Sequence, residues 1–281
     1  MEDCAEMRKY DILFLDIDGT LVQSDHKTIS PRTREALKKA KAAGVKLVVA
    51  TGRARKIMPE MLLDLDFDYV LSSNGAAVDD LHTGERIYYN PFDAKAARIA
   101  YELIKDDMDF IEFFVNGGIG LSRAAWQMVG VRNLPEWHNK YFATGDAPIY
   151  ESEEAFLDAG APGLEKIGLV RYPKEVLDAV YPKLQAAGIF NVAGSIKSTI
   201  ELNQAGCTKG VALKALCEKL GIDIARAAAM GDAGNDADML KAAGCGVAMG
   251  NAKPEIKAIA DQVTATNDED GVALFIENYV L

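Results

Sequence analysis

The sequence has few of the residues that build zinc sites and disulfide scaffolds. It contains four cysteines and three histidines among 281 residues. No two cysteines form a C-x-x-C pair, and His26, His82 and His138 show no metal-ligand spacing. A zinc centre and a disulfide framework are therefore not expected, and surface or capping roles are predicted for the histidines.

The chain also lacks long apolar runs and an excess of positive charge. Its longest apolar stretches, such as residues 47–50, have the length of a β-strand, and no signal-peptide pattern follows Met1. The formal net charge is −11, which disfavours broad contact with nucleic acid or an anionic membrane. We expect a cytoplasmic protein that binds neither nucleic acid nor a membrane. Its oligomeric state stays open.

The first and last thirds of the chain alternate between short apolar runs and amphipathic segments. Ser30 as N-cap, Pro31 and Gly44 delimit a predicted helix. Strands are predicted at residues 12–17, 45–50, 69–72, 227–230 and 246–249, and further helices at 56–65, 209–220, 236–243 and 254–260. This alternation predicts an α/β fold, a Rossmann-like parallel sheet with helices on its faces.

The middle of the chain has a different pattern. Asn116-Gly117-Gly118 separates two apolar runs and predicts a β-hairpin. Helical and strand patterns surround it, whereas residues 123–163 show no clear period. We therefore predict an α+β domain at residues 84–203, inserted into an α/β core made of residues 1–83 and 204–281.

The segment Asp16-Ile17-Asp18-Gly19-Thr20 follows the first predicted strand. In an extended chain, Asp16 and Asp18 project to the same side, at the strand end where open α/β sheets bind ligands. Two adjacent carboxylates repel unless one is protonated or a cation lies between them, and Mg²⁺ prefers such oxygen ligands. Gly19 permits a tight turn that brings backbone N–H groups toward an anion. The alternative is an ordinary Asp-Gly turn.

Three more polar segments follow predicted strands or begin predicted helices. Thr51-Gly52-Arg53 offers a hydroxyl and backbone N–H groups to a phosphate, or forms a helix N-cap. Lys209 neutralises a bound dianion, or is a solvated surface lysine. In the segment 231–236 (GDAGND), Asp232 completes a metal site with Asp16, or the segment is a loop with capping aspartates.

All four segments are expected at one edge of one sheet. Together they supply carboxylates, a hydroxyl and a cation, the set that hydrolysis of a phosphate monoester needs. That reaction is so slow that enzymes accelerate it by up to ~10²¹-fold. General acid–base catalysis contributes about 10²–10⁴-fold, so covalent catalysis, a metal ion and charge neutralisation must act together.

These motifs resemble those of the haloacid dehalogenase (HAD) superfamily, specifically the Cof-type phosphatases with an inserted C2-type cap. FLDIDGTLV is similar to the family's motif I, ATGR to motif II, CTKG to motif III and GDAGND to motif IV. SSNGA and VAMGNAKPEIK also resemble family segments. The similarity is weakest in the cap and does not identify the substrate.

The resemblance implies a role for each matching residue. Asp16 is expected to form an aspartyl phosphate, and Asp18 to protonate the leaving alcohol and then activate water. Mg²⁺ is expected to bind Asp16, the backbone carbonyl of Asp18, and Asp232. The other implied residues are the phosphate-binding Thr51, Gly52, Lys209 and Asn235, the supporting Asp236 and Thr20, and the candidate substrate contacts Asn74 and Arg53, the latter with a salt bridge as the alternative.

We therefore expect an Mg²⁺-dependent phosphatase that acts on small phosphorylated metabolites. Sugar phosphates are the expected class, ahead of pyridoxal phosphate and flavin mononucleotide. Two alternatives stay open. A phosphomutase returns the phosphoryl group to a sugar, and a regulatory module binds a phosphorylated ligand without turning it over. The intact pair of Asp16 and Asp18 disfavours the binding module.

Overall fold

Two β-sheets organise the residues that the computed structural model describes, which are 9–193 and 199–281. The strands are β1 (Ile12–Leu15), β2 (Lys46–Ala50), β3 (Tyr69–Ser72), β4 (Ala77–Asp80), β5 (Arg86–Tyr89), β6 (Glu112–Val115), β7 (Gly118–Ser122), β8 (Ile149–Tyr150), β9 (Leu164–Val170), β10 (Phe190–Ala193), β11 (Thr199–Gln204), β12 (Ala227–Gly231), β13 (Cys245–Ala248) and β14 (Gln262–Val263). The α-helices are α1 (Pro31–Ala42), α2 (Ala94–Ile104), α3 (Arg123–Met128), α4 (Glu136–Ala143), α5 (Glu153–Asp158), α6 (Lys174–Ala186), α7 (Lys209–Leu220), α8 (Ala237–Ala242), α9 (Pro254–Lys257) and α10 (Gly271–Tyr279). Within these described residues, none of the helices has the length and apolar character needed to span a membrane.

The larger sheet has the order β14-β13-β12-β1-β2-β3-β4-β5, which places β1 in its interior. The strands from β14 to β3 run parallel, and β4 and β5 are antiparallel additions at one edge. Along β1, Leu13 and Leu15 pack into an apolar cluster with α1 and α10, whereas Ile12 and Phe14 pack into a second cluster with α7 and α8. Helices thus cover both faces, and the predicted α/β core is confirmed.

The smaller sheet has the order β10-β11-β9-β6-β7-β8 and is antiparallel except between β7 and β8. Asn116 and Gly117 have positive φ angles of 48° and 76° at the tip of the β6–β7 hairpin, the backbone that the Asn-Gly sequence favours. Helices α2, α5 and α6 contribute to its apolar cluster. The sheet and its helices lie between β5 and α7 in the chain, so the predicted α+β cap is present.

Two predictions near the cap are wrong in detail. Residues 56–65 do not form a helix but contain the 3₁₀ turns Arg55–Ile57 and Glu60–Leu62. Pro59 holds Met58 in an extended conformation with a ψ angle of 139°, because proline disfavours the α conformation in the residue before it. Strand β5 pairs with β4, so the larger sheet extends beyond the predicted domain boundary after residue 83.

The segment without a clear sequence pattern, residues 123–163, contains three short helices and β8. Trp126 and Trp137 pack against the apolar cluster of the smaller sheet. His138 is buried, stacks on Trp137 and lies 3.1 Å from a carboxylate oxygen of Glu112. The surface or capping role expected for this histidine is therefore wrong.

Strand β12 is built from residues with low strand propensity. Ala227, Ala228 and Ala229 are fully buried between β1 and β13. Ala229 shares an apolar cluster with Leu213 of α7 and Met239 of α8, and its small side chain lets these helices approach the sheet closely. Tertiary packing thus outweighs the weak strand propensity of alanine.

Ala229→Leu should therefore destabilise the fold. Three extra carbon atoms in a filled core are expected to lower the free energy of unfolding by about 1–3 kcal/mol, as measured by urea titration with circular dichroism. Ala225→Leu is the matched control, because Ala225 is exposed just before the same strand. Equal stability of the two variants would contradict tight packing at β12.

Candidate active site

Four predicted motifs converge at the carboxyl-terminal edge of the larger sheet. Asp16 follows β1, and Thr51 and Asp232 follow the two neighbouring strands, β2 and β12. Lys209 is the first residue of α7, whose N-cap is Thr208. Since neighbouring parallel strands end side by side, residues far apart in sequence enter one site.

Lys209 links two carboxylates at the centre of this site. Its Nζ atom lies 2.6 Å from Asp16 Oδ1 and 2.6 Å from Asp236 Oδ1, and its side chain is fully buried. Burial alone would lower the Lys209 pKa, but the two carboxylates outweigh it and raise that pKa above its ordinary value. The lysine is therefore a fixed positive charge beside Asp16.

Asp236 also holds the loop that follows β12. Its Oδ2 atom accepts hydrogen bonds from the backbone N–H groups of Asp232 and Ala233, at 3.1 and 3.0 Å. A Cβ atom on Gly231 would lie 2.5 Å from the Asp236 side chain, so this approach requires glycine. Asp236 thus orients both Lys209 and the backbone of Asp232.

Three carboxylates form a cluster with the dimensions of a metal site. Oxygen atoms of Asp16, Asp232 and Asp236 lie within 4.8 Å of one another. Burial raises the Asp16 pKa well above its ordinary value, and the carboxylates of Asp236 and Asp232 add to this against the effect of Lys209. Burial and Asp236 likewise raise the Asp232 pKa to about 6. A hard divalent cation with oxygen ligands would neutralise this negative charge.

The turn after Asp18 is held against this cluster. Gly19 has a φ angle of +87°, and a Cβ atom there would lie 2.5 Å from Asp232 Oδ2. Thr20 Oγ1 donates a hydrogen bond to Asp232 Oδ1 at 3.3 Å. From the far end of the chain, Asn251 Nδ2 donates to the Gly19 carbonyl at 2.8 Å. The turn and the Asp232 carboxylate therefore define each other's position.

The carboxylate of Asp18 faces a different partner. Arg53 Nε and Nη2 lie 2.9 and 2.7 Å from its two oxygens, and the Asp18 side chain is 42% exposed. The Arg53 guanidinium also lies 5.0 Å from the Trp137 ring of α4. The salt bridge considered for Arg53 is therefore present, and these contacts join the larger sheet to the cap.

Three of the four predicted phosphate-binding residues lie beside Asn74, which was predicted as a substrate contact. We call this group, Thr51, Gly52, Asn74 and Asn235, the cradle. A Cβ atom on Gly52 would lie 2.8 Å from Asn74 Oδ1 and 3.6 Å from Asn235 Nδ2. Asn235 Nδ2 donates to Asn74 Oδ1 at 3.1 Å. The buried Thr51 hydroxyl accepts a hydrogen bond from the backbone N–H of Arg53 at 3.1 Å. The structure thus brings Gly52, Asn74 and Asn235 together, with Thr51 adjacent in the chain.

The loop after β3 has a left-handed backbone and lies between the cradle and the start of α7. Ser73, Asn74 and Gly75 have φ angles of 51°, 58° and 96°, and left-handed backbone costs a non-glycine residue of order 1–3 kcal/mol. The backbone N–H of Asn74 donates to the Thr51 carbonyl at 3.1 Å. A Cβ atom on Gly75 would lie 2.4 Å from the Thr208 carbonyl oxygen. Contacts with Thr51 on one side and Thr208 on the other therefore hold the strained loop in place.

This arrangement has relatives among known proteins. A model of the family described as haloacid dehalogenase-like hydrolase matches residues 13–276. The chain belongs to this family. The predicted resemblance is therefore confirmed, and the match spans both sheets.

Relatives of this HAD hydrolase refine the assignment. Phosphatase YwpJ of Bacillus subtilis is 32% identical, and the match covers 93% of this chain and 97% of that protein. A solved haloacid dehalogenase-like hydrolase from B. subtilis is 31% identical with a TM-score of 0.79, covering 95% of this chain and 99% of that one. The subclass IIB sugar phosphatase BT4131 is 26% identical with a TM-score of 0.77, covering 96% and 98%. The chain is thus a Cof-type, subclass IIB, HAD phosphatase.

Three residues at the site were missed by the sequence analysis. Asn251 holds the Gly19 turn, as described above, and the signal for it was the segment VAMGNAKPEIK. Lys166 and Glu201 reach the site from the cap: Lys166 Nζ lies 2.6 Å from the Gly52 carbonyl oxygen and 2.6 Å from Glu201 Oε1. A lysine within the buried strand LEKIGLV was the available signal for Lys166.

Gly19→Ala is expected to disturb the acidic cluster of this HAD phosphatase. The new methyl group would displace the Asp232 carboxylate. If the cluster holds a divalent cation, its affinity for Mg²⁺ should then fall about tenfold or more. The measurement is the rise in the unfolding midpoint on Mg²⁺ titration. Gly84→Ala is the control, because Gly84 also has a positive φ angle, of +75°, but no atom within 4 Å of an added Cβ. Equal Mg²⁺ responses of Gly19→Ala and Gly84→Ala would contradict a role for the Gly19 turn in positioning Asp232 for a cation.

Proposed function

We propose that this HAD phosphatase hydrolyses small phosphomonoesters, with Mg²⁺, through an aspartyl phosphate on Asp16. The observation that carries the proposal is the contact of Lys209 with a buried Asp16 at the end of an interior strand. Burial keeps the Asp16 carboxylate from bulk water, and the positive charge of Lys209 compensates the negative charge of an incoming phosphate.

In the first half of the reaction, an Asp16 oxygen forms a bond to phosphorus while the bond from phosphorus to the ester oxygen breaks. Asp18 gives a proton to the departing alkoxide, so that the alcohol leaves neutral. Before this step, Asp18 must separate from Arg53, which donates hydrogen bonds to both of its carboxylate oxygens, and take up a proton from solvent. The phosphate dianion of the substrate is the competing partner for Arg53.

In the second half, Asp18 accepts a proton from water, and the water oxygen attacks phosphorus. The bond between phosphorus and Asp16 breaks, which regenerates the carboxylate and releases inorganic phosphate. The Thr51 hydroxyl, the Gly52 backbone, Lys209 and Asn235 hold the phosphoryl oxygens in both halves. Fixed donors of this kind stabilise charge that develops in the transition state.

The residues present fit an Mg²⁺ site. Asp16 and Asp232 would hold the cation with their carboxylates and Asp18 with its backbone carbonyl. Asp236 is within reach but already accepts hydrogen bonds from Lys209 and two backbone N–H groups, so we assign it a supporting role. When bound, the cation neutralises negative charge on the phosphoryl oxygens.

We propose sugar phosphates and related polyhydroxylated metabolites as the substrate class. The name of the solved relative BT4131, a sugar phosphatase, supports this.

Asp16→Asn should abolish phosphate release. Loss of the nucleophile is expected to reduce turnover about a thousandfold or more, measured across a panel of phosphorylated metabolites with Mg²⁺ and with a chelator. Asp106→Asn is the control, because Asp106 is exposed on the cap. Phosphate release that survives in Asp16→Asn, or that is indifferent to the chelator, would refute this function.

Asp18→Asn should trap the phosphorylated enzyme when the substrate is p-nitrophenyl phosphate. This leaving group departs without a proton, so the first half proceeds, whereas hydrolysis lacks its base. We expect a single burst of p-nitrophenolate, and one added phosphoryl group in the intact-protein mass. The variant Asp16→Asn/Asp18→Asn should show neither. Absence of both signals in Asp18→Asn, with the protein folded, would contradict a covalent intermediate.

A further inference from the structure

We propose that Lys166, in strand β9 of the cap, is a positioning residue for the phosphate cradle. Its ammonium group holds the Gly52 carbonyl, so the cradle takes its working geometry only when the cap lies against the larger sheet. This inference rests on the proposed function, because it assigns Thr51 and Gly52 to phosphate binding.

Lys166 is buried at the contact between the two sheets. It is 1% exposed, and its Nζ atom lies 2.6 Å from the Gly52 carbonyl oxygen, 2.6 Å from Glu201 Oε1 and 3.9 Å from the centre of the Phe114 ring. A buried ammonium group is costly unless it has such partners. Its placement is therefore tied to the Gly52 carbonyl as well as to Glu201.

The geometry of the peptide bond carries this contact into the cradle. In a trans peptide, the Gly52 carbonyl and the Arg53 N–H point in opposite directions. Lys166 binds the carbonyl end, and the N–H end donates to Thr51 Oγ1 at 3.1 Å. A rotation of this peptide would break both contacts. Lys166 therefore fixes the hydroxyl of Thr51 and the path of the backbone that faces the phosphate.

Glu201 extends the same contact to the amide side chains. Its Oε1 atom accepts from Lys166, and its Oε2 atom accepts from Asn74 Nδ2 at 2.8 Å. Asn74 Oδ1 in turn accepts from Asn235. One charged pair of the cap thus touches both sides of the cradle, through the Gly52 carbonyl and through Asn74.

Two other roles would explain a buried lysine at this place. Lys166 would be a simple counter-ion if its only task were to neutralise Glu201. It would be a specificity residue if it bound the leaving group of the substrate. The positioning role differs from both because it predicts weaker binding of phosphate itself, whatever the leaving group.

The experiment compares Lys166→Met, Glu201→Gln and Lys166→Met/Glu201→Gln with the parent enzyme. The readouts are kcat/KM for p-nitrophenyl phosphate, which carries no sugar hydroxyls, and calorimetric affinity for inorganic phosphate, which needs no turnover. We expect both to fall about tenfold in Lys166→Met and to stay reduced in the double variant, as for loss of a hydrogen bond from a charged donor. Lys183→Met, at a half-exposed lysine of α6, should match the parent enzyme.

Each other outcome overturns the inference. Recovery of both readouts in the double variant would make Lys166 a counter-ion for Glu201. Unchanged values for p-nitrophenyl phosphate and inorganic phosphate, with losses confined to sugar phosphates, would make it a specificity residue. The double variant, which buries no unpaired charge, keeps the test valid if Lys166→Met fails to fold. Because phosphate affinity is measured apart from turnover, failure of this inference is distinguishable from failure of the proposed function.

Discussion

The contact of Lys209 with Asp16 and Asp236 is the interaction on which the rest of the site depends. One buried cation stands among three buried or half-buried carboxylates, so removing it would leave negative charge that the surrounding protein cannot solvate. Asp236 transmits the position of Lys209 to the loop that carries Asp232. Packing on the apolar faces of the larger sheet brings these groups together. The positive charge of Lys209 offsets the repulsion between the carboxylates.

Local signals in the sequence predicted much of this arrangement. Strand β3 and helix α7 have the predicted bounds. Helix α7 shows why: Thr208 caps its start, and Gly221, with a left-handed backbone, follows its end. The motif residues were predictable as a group because they follow parallel strands, or begin a helix, at one edge of the sheet. The helix predicted at 56–65 is absent because Pro59 keeps Met58 out of the helical conformation, which outweighs the surrounding helix-forming residues.

Sequence patterns did not predict which cap residues contact the site. Lys166 and Glu201 lie on neighbouring antiparallel strands, β9 and β11, and they meet Gly52 and Asn74 only through the docking of one sheet on the other. No periodicity within a strand encodes that relation, because it depends on the orientation of two separate packed units. Asn251 illustrates the same limit within the larger sheet, since its contact with the Gly19 turn joins residues 232 positions apart.

The central position of β1 affects the order in which the enzyme folds during its synthesis. One neighbour of β1 is β2, which is close in the chain. The other is β12, which is synthesised after the whole cap. Asp16 and Lys209 are likewise separated by 193 positions. Contacts of such long range form late, after loop-closure entropy has been overcome. A chain still emerging from the ribosome can complete its cap while Asp16 has no lysine beside it. The contact between Asp16 and Lys209 therefore forms only after the cap has been synthesised.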